Sequence, residues 1–204
     1  MLNPNVTRRR FLGTTAIGAG GVISGATAIE LLSTTRVWAD AAGDLDILNF
    51  ALTLEYLEAD FYAKGVASVK FANAHDKAVF TLIASDEAAH VTALTDAISK
   101  AGGKPVAKPQ VKYPAGTFES AAKFVTLAKT FEETGVSAYL GQAGAITNPD
   151  VLQAAASIFG IECRHAALVG RIAGLPPEGG IYMGATEKPK PKADVLAAVM
   201  PFLA

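Results

Sequence analysis

One cysteine, one tryptophan and three histidines are all that 204 residues provide of the side chains on which much protein chemistry depends. A single Cys163 excludes an internal disulfide and any four-cysteine iron or zinc knuckle. Unpaired cysteine is among the most buried residue types, so a small buried residue is expected there. A basic stripe is missing too, which leaves nothing to neutralise phosphates and excludes nucleic acid as a partner. Residues 1–39 hold four Arg and one Glu; without them fourteen basic and eighteen acidic residues remain, a formal charge of −4. That remainder is ample for one domain with its own core.

The amino terminus reads as a targeting segment and stands apart from the fold. Thr7-Arg8-Arg9-Arg10-Phe11-Leu12 resembles the twin-arginine export signal, with Arg8 and Arg9 as the pair. No charge follows until Glu30, and Val37-Trp38-Ala39 supplies small residues at the −3 and −1 positions of a cleavage site. The expected mature start is near Asp40, after passage through the twin-arginine machinery to the periplasm or cell envelope. The alternative is an uncleaved anchor, since the 19 uncharged residues from Phe11 to Ile29 just reach a bilayer's span. Five glycines within that run make it a poor permanent one.

Two of the three histidines sit in Glu-x-x-His motifs, Glu87 to His90 and Glu162 to His165. Residues three apart share a face of a helix, so each motif sets a carboxylate beside an imidazole. Upstream of each lies a further glutamate with a tyrosine seven residues on: Glu55 with Tyr62, and Glu132 with Tyr139. Glu55 precedes Glu87 by 32 residues, and Glu132 precedes Glu162 by 30. The chain therefore repeats one pattern, and a dinuclear site in a four-helix bundle is built from such parts. The flanking residues are apolar (Ala51-Leu52, Leu82-Ile83, Val136, Ile158-Phe159), and four unpaired carboxylates among them would carry a heavy desolvation cost.

Helical rhythm and stop signals divide the rest. Helices are expected from about Asp44 to Ser68, from Asn73 to Lys100, from Thr117 to Ile146 and from Pro149 to Gly174, with Asn73 as a cap and Pro149 in a first turn. Short links make each pair an antiparallel hairpin. The 16 residues from Ala101 to Gly116 reach far enough, at about 3.3 Å each, to cross the length of the bundle. The fold class is thus all-α: a four-helix bundle of two hairpins over residues 40–177, joined by one long crossover. Residues 178–204 read as an extended tail with a short helix from Ala193 to Leu203, suited to capping the bundle or to a small homo-oligomer contact.

This pattern resembles the ferritin-like superfamily, the di-metal carboxylate bundles that include rubrerythrins, bacterioferritins and manganese catalases. Within it, the chain is similar to exported ferritin-like domain proteins of the desiccation-related type. The likeness covers roughly Asp44 to Gly174, and there is no rubredoxin-like cysteine module. It implies that Glu55, Glu87, His90, Glu132, Glu162 and His165 hold two iron or manganese ions, with Glu87 and Glu162 bridging. It also implies redox chemistry on dioxygen or hydrogen peroxide, of an oxidase, peroxidase or catalase type. The rival expectation is a structural or stress-protective metal-binding protein without turnover. Export and the Pro-Lys tail suit a closed iron-storage shell poorly.

Around these six, Glu58, Tyr62 and Tyr139 are candidates for a supporting role, and Glu58, three residues after Glu55, is an alternative ligand to it. The match of Glu55–Tyr62 to Glu132–Tyr139 favours Glu55. Asp86 and Glu133 adjoin ligands and point about 100° away, so both are expected in solvent. Arg164 and Arg171 either orient carboxylates or face solvent, and His75 is expected to be exposed.

Overall fold

The computed structural model describes residues 41–204; the export signal and cleavage site expected within residues 1–39 lie outside them. Four long helices follow, α1 (Ala41–Ser68), α2 (Ala74–Lys100), α3 (Ala121–Ala143) and α4 (Pro149–Ile172), then a short α5 (Lys192–Val199) that runs into a single 3₁₀ turn at Met200–Phe202. Among the described residues there is no strand, and no helix is long and apolar enough to cross a membrane.

Three of the starts have a local cause. The Asn73 side chain accepts from the Asp76 amide to open α2, Ser120 does the same for Lys123 at α3, and Asn148 for Asp150 and Val151 at α4. The α3 boundary differs from expectation: residues 115–119 form turns, and the helix waits for Ser120. Thr117, with Glu119 close behind, reads as a helix start, but its hydroxyl donates to the Pro114 carbonyl at 2.7 Å. At the far end of α4, Gly174 adopts φ 72 and the Leu175 amide returns to the Gly170 carbonyl, which closes the helix.

α1 pairs with α2, and α3 with α4. The crossover between them runs along α1. Val106 N–H donates to Asn49 Oδ1 at 2.7 Å, Lys108 pairs with Asp60 at 3.3 Å, and the Tyr113 hydroxyl donates to Asp60 Oδ2 at 3.0 Å. That course carries the chain from the end of α2 back to the opposite end of the bundle, where Phe124 of α3 packs against Gly65 of α1. At the other end, buried Asp44 accepts from the Thr147 and Asn148 amides at 2.9 and 2.8 Å and pins the α3–α4 link to α1.

Two apolar clusters result. One is rich in aromatic rings, with Phe61, Phe80, Phe124 and Phe131 at its centre; the other is mostly aliphatic, with Leu48, Leu52, Leu94, Ile98 and Val151. The carboxylates and imidazoles lie between them. The tail is no loose appendage: Val195 and Val199 of α5 are buried in the aromatic cluster, and Phe202 packs edge-on against Phe131 with ring centres 4.9 Å apart. Lys190 N–H donates to the Ser137 carbonyl at 3.0 Å, and Gly141 permits that approach, since a Cβ there would sit 2.0 Å from the Lys190 carbonyl oxygen.

Candidate metal centre

Helical spacing sets the donors. Glu55 comes from α1, Glu87 and His90 from α2, Glu132 from α3, and Glu162 and His165 from α4. All six are buried. Their donor atoms form two overlapping groups, each gathered within 4.8 Å: Glu55, Glu87, His90 and Glu162 in one, and Glu87, Glu132, Glu162 and His165 in the other. Glu87 and Glu162 belong to both, so they stand between two positions, while Glu55 with His90 and Glu132 with His165 stand at the sides.

The distances show what is gathered. His90 Nδ1 lies 3.2 Å from Glu55 Oε2 and 3.3 Å from both Glu87 Oε2 and Glu162 Oε1. His165 Nδ1 lies 2.8 Å from Glu87 Oε1 and 3.5 Å from Glu132 Oε2. Closeness has not produced hydrogen bonds for several of these atoms. Glu87 Oε1, Glu132 Oε2, both oxygens of Glu162 and His165 Nδ1 are buried without a hydrogen-bonding partner. Buried polar atoms left in this state are costly, and a cluster of them aimed at common points fits the binding of a cation. Four carboxylates also balance two divalent ions, and oxygen with imidazole nitrogen suits iron(II) or manganese(II). The residues therefore fit a di-metal site.

Electrostatics carry the same message. Burial and the Glu55 carboxylate push Glu87 up to about 7, although the two imidazoles oppose this. Glu162 rises well above the carboxylate range through burial and the charges of Glu87 and Glu55. Burial alone would lower both imidazoles. Instead, Glu55, Glu162 and Glu87 raise His90 strongly, and Asp86, Glu132 and Glu87 push His165 up to about 12. Burial raises Glu55, but the His90 charge together with hydrogen bonds involving His90, Glu87 and Tyr139 outweighs it and holds that carboxyl below its usual value.

The tyrosines tie the halves across the centre. Tyr62 of α1 donates to Glu132 Oε1 of α3, and Tyr139 of α3 donates to Glu55 Oε1 of α1 at 2.5 Å. Each upstream glutamate thus keeps one oxygen on a tyrosine and turns the other inward, which fixes its rotamer.

Asp86 departs from expectation. Its side chain is 35% exposed, yet its Oδ2 lies 3.1 Å from His165 Nε2. A carboxylate at that nitrogen holds its proton there and turns the Nδ1 lone pair to the centre. Sequence reasoning sent Asp86 to solvent because it followed a single helix; the flank of α2 that points away from the donors is the flank that meets α4. Glu133 does face solvent, paired with Lys129. Arg164 is exposed and donates to its own helix at Gly160, so it orients no carboxylate; Arg171 and His75 are exposed as well. Cys163 is half-buried rather than buried, on the flank of α4 beside the donors.

Glu58 lies outside both converging groups, so the geometry gathers Glu55 and not Glu58. Glu58 is nonetheless buried, with Oε2 unpartnered, and burial together with the Glu162 charge raises it well above the usual carboxylate range. Three residues after Glu132, where the other half would place its counterpart, stands Gly135.

Comparison with curated proteins found no match. The family model for the ferritin-like domain matches residues 43–175, which is the whole bundle from the first turns of α1 to the end of α4. The fold and the four helices that carry these donors thus have a common origin with that family, and the chain belongs to the ferritin-like domain family.

Proposed function

We propose that the protein is an exported di-metal carboxylate protein that binds two iron or two manganese ions and acts on dioxygen or hydrogen peroxide in the cell envelope. One observation carries the reading: six buried donors from four helices converge in two overlapping groups, with oxygen and nitrogen atoms left unpartnered inside an apolar core. Glu87 and Glu162, common to both groups, would be the shared ligands, Glu55 and Glu132 the terminal ones, and His90 and His165 would each supply one nitrogen. When bound, a pair of iron or manganese ions supplies paired one-electron steps at a single site.

The residues around them do the rest. Tyr62 and Tyr139 hold Glu132 and Glu55 in place, Asp86 fixes the tautomer of His165, and the two apolar clusters exclude bulk water. The export motif at Arg8-Arg9 supports delivery beyond the cytoplasm as a folded chain, which would let the site fill under cytoplasmic metal supply. Sequencing the amino terminus of the exported protein tests this; a start near Asp40 supports it, and an intact leader contradicts cleavage.

A second reading, stress- or desiccation-protective binding without turnover, draws on the tight packing: all six donors are buried. Steady-state consumption of hydrogen peroxide and dioxygen by metal-loaded protein decides between them. Consumption that disappears in Glu87→Ala supports the redox reading, and a loaded but inert protein supports the protective one.

A further inference from the structure

Two gaps in the packing adjoin the carboxylate–imidazole layer, and they differ in chemistry. One leaves about 400 Å³ free of protein atoms and is lined by Leu48, Ala51, Leu54, Leu94 and Val151, with Tyr139 and Gln142 as its few polar members. A cation shedding water there would meet mostly carbon, at a severe desolvation cost. The other leaves about 190 Å³ between α1 and α3, with Glu58, Thr134 and Gly135 in its wall and Val199 of α5 at its edge.

This second gap has a built polar feature. Glu58 is 3% exposed and its Oε2 has no partner. A Cβ at position 135 would sit 2.5 Å from Glu162 Oε2 and 3.4 Å from Glu58 Oε1. Glycine there keeps the space between Glu58 and the shared carboxylate of Glu162 free of any side chain. On the outer side, Val199 is buried against the gap, on a helix of only eight residues.

We propose that this gap is the route by which divalent cations reach the centre, with Glu58 as a transit carboxylate and α5, through Val199, as the cover. The proposal rests on the di-metal reading above. A hydrated cation exchanges its waters for protein oxygens one at a time, and Glu58 stands where the first exchange inside the core takes place. Because Glu58 lies outside both converging groups, it can hold an ion without completing either, and pass it to Glu162. The rest of the perimeter is closed by apolar side chains, Leu54, Leu57 and Phe131, so loading requires α5 to lift locally.

The test is the rate of cobalt(II) uptake by the full chain stripped of metal, followed by stopped-flow visible absorption, with final ion content measured separately. Glu58→Gln is expected to slow uptake about tenfold, the scale on which a lost attracting charge alters an on-rate, with an unchanged final ion content. Val199→Ala is expected to speed uptake at least about twofold by loosening the cover. Ala155→Val, which narrows the apolar gap, leaves the rate as in wild type. Uptake by Glu58→Gln at the wild-type rate overturns the proposal, as does loss of one ion at saturation, which would make Glu58 a ligand. Slowing by Ala155→Val equal to that by Glu58→Gln would move the route to the apolar gap. Should Glu58→Gln not fold by circular dichroism, Val199→Ala decides, and an unchanged rate there overturns the role of α5. A wild-type chain that takes up no cobalt at all fails the di-metal reading itself, a result distinct from any change in rate.

Discussion

The α1–α2 hairpin and the α3–α4 hairpin carry the same donors in the same order, but they do not surround them alike. Glu55, Tyr62, Glu87 and His90 in the first match Glu132, Tyr139, Glu162 and His165 in the second, and the tyrosine bonds cross reciprocally between the halves. Among the matched positions that differ, two adjoin the donors. Glu58 in the first hairpin answers to Gly135 in the second, and Asp86, just before Glu87, answers to Ile161, just before Glu162. The donor set is therefore nearly symmetric, and its support is not. His165 has a carboxylate on its outer nitrogen, whereas the residue that matches Asp86 in the second half, Ile161, offers no acceptor. An extra buried acid lies against one face only. On the di-metal reading, matching donors would hold a pair of ions, and unmatched surroundings would make the two ions inequivalent.

The largest way to break the comparison is to remove a shared donor against an unshared one. Glu162→Ala is expected to lose both ions, while Glu132→Ala loses only the one beside His165; elemental analysis of each purified variant checks this. Next in size is the supporting carboxylate. Asp86→Ala should weaken one of two ions by about 10- to 100-fold, the usual cost of losing a partner behind a ligating imidazole. Ile161→Ala should leave both affinities unchanged. Stepwise metal titration by calorimetry separates the two sites and would contradict the inequivalence if Asp86→Ala weakened both ions equally.

pH acts on both sites together. Without metal, Glu87 is pushed up to about 7, His165 up to about 12, and His90 is raised further still. The metal-free centre thus binds protons at neutral pH, and an ion must displace them. Affinity therefore rises with pH, by about tenfold per unit for each proton released, and it falls more steeply once Glu87 takes up its proton below about 7. Proton release measured in two buffers of different ionisation enthalpy checks the sign; uptake of protons on binding would refute it. The smallest effects are expected at the tyrosines. Tyr62→Phe and Tyr139→Phe each leave one buried carboxylate oxygen without its donor, at about 1–3 kcal/mol of folding stability. Their near-equality in urea unfolding would mark the symmetric part of the centre.

Much of this was legible in the sequence because the informative features are local. Glu-x-x-His fixes a shared helix face by itself, the Glu-to-Tyr interval repeats in both halves, and the short and long links between helices decide which pairs are hairpins. The start of α3 was misplaced because two hydroxyl residues able to cap lie three apart, and only the fold turns Thr117 to Pro114 and leaves Ser120 to accept from the helix. Asp86 was missed because its partner is on another helix: no interval along the chain pairs it with His165, 79 residues away. The only sequence trace is the contrast between Asp-Glu-x-x-His in one half and Ile-Glu-x-x-His in the other. A short apolar helix suited to capping the bundle was legible in the tail, but its contacts were not, since Val195, Val199 and Phe202 acquire meaning only against Phe131 and the core.

The central claim is that these six buried donors bind a pair of metal ions. Its most direct test is the metal content of the exported wild-type protein beside a Glu87→Ala/Glu162→Ala double variant. The account predicts about two iron or manganese ions per chain in the wild type and none in the variant, as a dinuclear carboxylate site requires. A folded wild-type chain that carries no metal and refuses loading would contradict it.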